Sequence, residues 1–574
     1  LPVYQSTSLP VYQSTSLPVY QSTSLPTHRF TNLPVYATIR LMSGQRVTIN
    51  SREWRWVALT ALVILGVSSL PYLVAWAVAP EGAHFTGILV NPIDGHSYLA
   101  KMRQGWEGSW RFRLAFTPEV HEGAPIYLFY LGLGHVARWM GLSLILVYHL
   151  ARGLGGAAML VMVYVLVSHL NDNVSERRTA FLLVSIGSGL GWLTGLFGMM
   201  ATDLWVPEAF PWYALLGNAH FPMAIALMLS CAVCGLRVIE GGQRIWMWGA
   251  GMVLGAIVLG GIQPFGLVAV FGGLGMVLVH QVFQARVIPW RAGFSILGSA
   301  ALALPYPIYI QVALLANPVL RAWNEQNVTP SPPFWHWLFG YGLMGVLAGV
   351  GIVTLLRQRR CWDWFLLGWV VVVLIGMYVP LSLQRRLSLG LSVPIGVLAE
   401  IGWRHSVRSR ITVRWRKRLQ SLLVAFCAVT PIFFVSMLVL SSLASESWFY
   451  LSDGEWDVLR WLRDEGRPEA VVLCSPMMGT FTPAWAGQPV LYGHPFETVN
   501  AEQREAQVEA FWTGALDGPT RDQFLRENRV TYILAGPREA ALAGERSVVM
   551  DWLADEGGWR IAFEAGAVKV YEAQ

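Results

Sequence analysis

Long apolar runs separated by short polar connections dominate the chain. Runs at 57–79, 143–168, 179–200, 218–236, 245–260, 264–284, 292–313, 334–356, 362–383, 387–402 and 421–443 reach or approach the roughly 20 residues that cross about 30 Å of hydrocarbon. The pattern therefore predicts a polytopic α-helical membrane protein, a bundle of about 11 transmembrane helices. Two stretches break the rhythm. The first is a mostly polar loop, 80–142, in which residues 97–106 have helical spacing with Tyr98, Met102 and Trp106 on one side. Its apolar piece Pro125–Met140 carries His135 and Arg138 and is expected to lie at the interface rather than cross. The second is 445–574, rich in Asp, Glu, Arg and Gly and without a further span. Glu455–Glu465 and Ala501–Trp512 read as helices there. Ala470–Leu473, Val490–Tyr492 and Val530–Leu534 read as strands, and Trp559–Tyr571 as a hairpin, which together predict a C-terminal α/β domain.

Composition agrees, with 54% hydrophobic and 13% charged residues. The net charge of +6 does not point to nucleic acid, because the basic residues sit mainly in short loops between spans, where they report topology and anionic headgroups. With the N-terminus inside, beside Arg46, Arg52 and Arg55, the inner loops hold Arg177 and Arg178, Arg237 and Arg244, Arg286 and Arg291, Arg357 to Arg360, and seven basic residues from Arg404 to Arg418. This assignment predicts a bacterial-type cytoplasmic membrane protein with loop 80–142 and domain 445–574 outside. Residues 1–41 are different: Leu-Pro-Val-Tyr-Gln-Ser-Thr-Ser occurs three times in register, and Pro in each unit excludes a helix. The expectation is a translated upstream repeat or a misplaced start, the membrane domain being 42–444; the rival is a disordered low-complexity tail. Five cysteines, four of them in or near spans, point to no disulfide framework.

Candidate chemistry concentrates in loop 80–142. Asp94 precedes the predicted helix, where a carboxylate either caps free N–H groups or serves as a general base toward a lipid-borne substrate. His96, Glu119, His121 and Glu122 are candidates to support it or to hold a divalent metal such as Mg or Mn; no other cofactor is expected. Lys101 lies in the same loop against the charge bias, and Arg385 and Arg386 lie at the outer end of a span. With Arg152, placed inside a span, they are candidates for phosphate, Arg385 ranking first.

The order Asp94-Gly-His-Ser-Tyr98, Gly108-Ser-Trp110, Glu122-Gly-Ala-Pro125-Ile-Tyr-Leu-Phe-Tyr130, followed by Arg152 after Tyr148-His-Leu-Ala, resembles the GT-C superfamily of membrane glycosyltransferases. Its layout is closest to the protein-mannosyltransferase and aminoarabinose-transferase-like families. The resemblance implies transfer of a glycosyl group from a polyprenyl-phosphate-linked sugar, with Asp94 as general base, to a glycan, lipid or protein acceptor outside the membrane. The family's acidic pair is often Asp-Glu; here Gly95 follows Asp94, so a second acid would be missing or supplied by Glu119 or Glu122. In the tail, His494 and Glu497 are candidates to orient an acceptor. Two rivals remain at this level: a transporter or flippase for a lipid-linked substrate, and a non-catalytic envelope-assembly protein.

Overall fold

In the computed structural model, residues 48–286, 288–358, 362–544, 548–555 and 558–574 are described, so the octapeptide repeat lies outside the described residues. Among the described residues eight helices are long and apolar enough to cross a membrane: Ser51–Ala77, Leu144–Leu170, Val174–Leu196, His220–Glu240, Ile245–Ile262, Phe265–Gln284, Trp290–Ala316 and Phe334–Gln358. Val413–Cys427 and Val429–Leu443, bent by 43° against each other, make a ninth if taken as one span.

The two remaining expected spans are helical but short. Asp363–Gly376 has 14 residues and Ser392–Gly402 has 11. At 1.5 Å per residue the first reaches roughly 21 Å, under the hydrocarbon thickness, and the second continues directly into a π-helical turn, Trp403–Val407. Hydropathy counted them because both are apolar; Ser392–Gly402 is apolar because nearly every residue is buried within the bundle. The interfacial piece is a 13-residue helix, Leu128–Met140, again too short to cross.

The first span starts with a capping box, Asn50 accepting from the Glu53 backbone while the Glu53 carboxylate returns to the Asn50 N–H. Glu53 is buried, and its Oε1 also accepts from Tyr164 Oη (2.9 Å) and Arg177 Nη1 (2.9 Å). These contacts tie the first three spans together at the end away from loop 80–142.

At the other end, the loop and the chain after the last span fold against each other. Strand β1 (Ala83–Phe85) pairs antiparallel with β2 (Tyr450–Ser452), with His84 opposite Leu451. Beyond β2 lies a four-stranded sheet in the order β3-β4-β6-β5: β3 (Val471–Leu473) is parallel to β4 (Val530–Ala535), and β6 (Val568–Ala573) is antiparallel to both β4 and β5 (Trp559–Ala565). The expected strand at 490–492 is only a bridge from Val490 to Val472; the Val490 N–H goes instead to Ala115 O in the loop (3.1 Å). Ile88, Leu99 and Met102 of the loop share one apolar core with Val458, Phe481 and Val490 of the C-terminal segment. Neither part could bury that surface alone.

Candidate functional site

Sequence spacing suggests a helix from Ser97 with Asp94 ahead of it; the helix in fact begins at Pro92 and runs to Trp106. Proline suits the first turn because its missing N–H would be unpaired there anyway. Asn91, at the cap position, is left-handed (φ 52°) and makes no side-chain cap. Asp94 therefore sits inside the first turn, and capping is not its role. Asn91 Nδ2 donates to Asp94 Oδ2 at 2.9 Å, and His494 Nε2 lies 3.3 Å from Oδ1. The Asp94 side chain nevertheless keeps 40% of its surface accessible, so one face remains open to an incoming group. Burial alone would raise its pKa. His494 and the charges of Arg386 and Lys101 outweigh burial and hold the carboxyl below its usual value.

Three residues further along the helix, Ser97 Oγ donates to Glu497 Oε1 (2.5 Å). One turn beyond Ser97, Lys101 Nζ contacts the same oxygen at 2.6 Å and Ser97 Oγ at 2.6 Å. The ammonium lies 4.7 to 5.2 Å from the ring centroids of Tyr127, Tyr98 and Phe112, a cation–π cage. Both partners are nearly inaccessible. Burial would raise the Glu497 carboxyl, but the Lys101 charge leads the groups that keep it below its usual range. Lys101 is thus already neutralised and is not a free phosphate ligand.

The two neighbouring arginines divide. Arg385 Nε pairs with buried Glu208 Oε1 (3.2 Å), and its guanidinium stacks over Trp205. Arg386 has no hydrogen bond or ion pair from its side chain among the described residues, yet its charge acts on Asp94, Lys101, Tyr98 and Tyr127. The first choice for an anion ligand passes from Arg385 to Arg386. Arg152 is buried, donating to Leu215 O and His149 Nδ1 and lying 4.5 Å from the Tyr72 ring centroid. It pairs with no carboxylate among the described residues, and its charge is not among those acting on Asp94. Around the open face, Tyr98 stacks on Tyr130 (4.3 Å), whose hydroxyl reaches His220 Nδ1 at 2.7 Å.

The proposed metal or support group is dispersed. His96 is fully buried, donates from Nδ1 to Pro92 O and packs on Phe481; burial lowers its pKa to about 4. Glu119 pairs with Arg504 (2.8 Å), His121 spends both ring nitrogens on the loop backbone, and Glu122 is 92% exposed. Among the described residues no three His, Cys, Asp or Glu side chains come close enough to hold a metal ion.

No family model matches the chain, and no curated protein matches it. Among solved structures it is similar to ArnT from Cupriavidus metallidurans bound to undecaprenyl phosphate, with a TM-score of 0.53 at 12% identity over 89% of this chain and 97% of that one. The apo state of that protein gives 0.52 at 12% identity over 91% and 98%. The fold is that of the GT-C membrane glycosyltransferases. The archaeal oligosaccharyltransferase AglB from Archaeoglobus fulgidus, in complex with an inhibitory peptide and a dolichol-phosphate, is similar at 0.48, with 14% identity over 90% of this chain and 74% of that one.

Within this GT-C fold, the glycine after Asp94 has a steric cause. A Cβ at Gly95 would lie 2.4 Å from Ile88 Cγ2, so an acid has no room there. Neither Glu119 nor Glu122 replaces it; the second carboxylate near Lys101 and Asp94 is Glu497. His494 is almost fully buried against Asp94 and Phe116 rather than facing an acceptor. The lone pairing of His494 with Glu497 three residues on was the only sequence signal for this half of the site.

Proposed function

We propose that the protein transfers a glycosyl group from a polyprenyl-phosphate-linked sugar to an acceptor hydroxyl, with Asp94 as the general base. The observation that carries this reading is an open-faced carboxylate, Asp94, within electrostatic range of a guanidinium, Arg386, that has no ion pair among the described residues, at the loop end of a GT-C bundle. A catalytic base and an anion ligand are what such a reaction asks of the chain. The acceptor oxygen attacks the anomeric carbon and its proton passes to Asp94. The bond from that carbon to the phosphate oxygen breaks, and the electron pair leaves with the polyprenyl phosphate, whose growing charge Arg386 meets. Guanidinium geometry suits phosphate oxygens. ArnT, the similar structure, was solved with undecaprenyl phosphate, which supports a lipid phosphate as the carrier here. Tyr98, half-buried and backed by the buried ring of Tyr130, offers aromatic surface for a sugar ring. The residues weighed for a metal ion do not fit one, and no step is assigned to it.

The bias of basic residues supports an orientation with the N-terminus in the cytoplasm. Loop 80–142 and the C-terminal segment then face outward, toward a glycan, lipid or protein acceptor.

The test is Asp94→Asn in the full chain, reconstituted in nanodiscs and assayed with radiolabelled undecaprenyl-phosphate hexoses and pentoses. Loss of transfer by about 10²–10⁴-fold is expected, the usual worth of a positioned base, with thermal unfolding close to that of the parent. Transfer at the parent rate would overturn the assignment.

A further inference from the structure

His494 is delivered to Asp94 by a part of the chain 400 residues away, on a turn with little freedom. The Gly493 and His494 N–H groups both donate to Thr498 Oγ1 (3.4 and 3.3 Å), and the Thr498 N–H returns to His494 O (3.0 Å). The turn presses on the helix Pro476–Trp485 so closely that a Cβ at Gly493 would lie 2.2 Å from Gly479 O. That helix packs in turn on the helix that carries Asp94, where Phe481 meets His96.

The protonation of the imidazole follows from its contacts. Nδ1 accepts two backbone N–H groups, from Phe496 (3.0 Å) and Glu497 (3.1 Å), so it carries no proton. The proton of the neutral ring is then on Nε2, which lies 3.3 Å from Asp94 Oδ1 without the alignment of a hydrogen bond. With only 2% of its side chain accessible, His494 cannot touch an acceptor. Asn91 holds the second carboxylate oxygen from a left-handed backbone conformation that few residues other than glycine and asparagine adopt readily.

We propose that His494 is a positioning residue, whose Nε2–H, opposed to Asn91, fixes the Asp94 carboxylate so that its open face meets the acceptor hydroxyl. The proposal rests on Asp94 being the base. The charged groups that also face Asp94 are Lys101 on its own helix, Arg386 on the turn after the short span, and Glu497 beside His494. Tyr98, Tyr127 and Tyr130 from the loop, and Tyr148, Tyr213 and His220 from the bundle, complete the titratable surroundings. Among the described residues Asn91 Nδ2 donates to the carboxylate, and His494 Nε2 lies 3.3 Å from its other oxygen.

Turnover of radiolabelled undecaprenyl-phosphate sugars, followed as release of undecaprenyl phosphate, is measured against pH for four full-length variants in nanodiscs: His494→Ala, His494→Gln, Asp94→Asn and the double variant Asp94→Asn/His494→Ala. The expected result is a kcat lower by roughly 10- to 100-fold in His494→Ala with KM for the donor within about twofold, an acid limb displaced to higher pH, and substantial recovery in His494→Gln, whose amide N–H can reach the same oxygen. Adding His494→Ala to Asp94→Asn should cost nothing further. If His494→Ala keeps the parent kcat and acid limb, or if Gln restores nothing, the positioning role is overturned while an inactive Asp94→Asn leaves the base in place. An active Asp94→Asn overturns both.

Discussion

Removing one charge from the Lys101–Glu497 pair is the sharpest test of how the C-terminal segment is held on the loop. The Lys101 side chain is 1% accessible and Glu497 10%, and the nitrogen-to-oxygen distance is 2.6 Å. Solvent therefore screens neither charge. Lys101→Met leaves the Glu497 carboxylate with the Ser97 hydroxyl as its remaining side-chain donor, so the loss should fall in the range for a broken buried pair, about 3–5 kcal/mol. At roughly 2 °C per kcal/mol for a large chain, the unfolding midpoint should fall by about 6–10 °C. Glu497→Gln should cost less, because an amide oxygen still accepts from the ammonium and the three aromatic rings still face it. The double variant Lys101→Met/Glu497→Gln leaves no stranded charge, so it should be more stable than the sum of the single losses by about 1–3 kcal/mol. The assay is thermal unfolding by intrinsic fluorescence in detergent, completed as a double-mutant cycle. Single losses below about 1 kcal/mol, or losses that add within about 0.5 kcal/mol, would refute a buried and coupled pair.

Two further outcomes separate the site from its scaffold. Arg386→Ala should weaken binding of undecaprenyl phosphate by about tenfold or more with little change in unfolding temperature, because its guanidinium has no ion pair to lose; titration by microscale thermophoresis measures it. Arg385→Ala should instead destabilise the fold by stranding buried Glu208, so equal effects of the two arginines on binding would contradict their division. Gly95→Ala should cost about 1–3 kcal/mol through its clash with Ile88, and Ile88→Ala should relieve part of that cost in the double variant; independent losses in thermal unfolding would contradict the steric account.

The pH dependence of activity has a definite sign. Asp94 acts as a base when ionised, and its folded pKa is held below the usual value of about 3.9, so turnover should persist as pH falls to that value and be lost only below it. A limb near neutral pH would belong to another group.

The apolar runs alone determined most of the architecture, because membrane burial is written locally: each span carries its own hydropathy and each connecting loop its own charge. The two shorter apolar helices among the expected spans, Asp363–Gly376 and Ser392–Gly402, show the limit of that reading, since a segment buried in protein is as apolar as one facing lipid. Asp94 was legible as an acid at a helix start in a polar loop, and Lys101 as a cation against the charge bias. Their partners were not. Glu497 meets Ser97 across 400 positions, and no periodicity spans such a distance. The choice of Arg386 over Arg385 was equally hidden: in a 3₁₀ turn of about three residues per revolution, adjacent side chains leave the backbone some 120° apart, one toward Glu208 and the other within reach of Asp94's charge. Only the packing of the C-terminal turn onto the loop helix decided that His494 and Glu497 would complete the surroundings of Asp94, because side-chain direction and long-range contact arise when separate elements bury a common core.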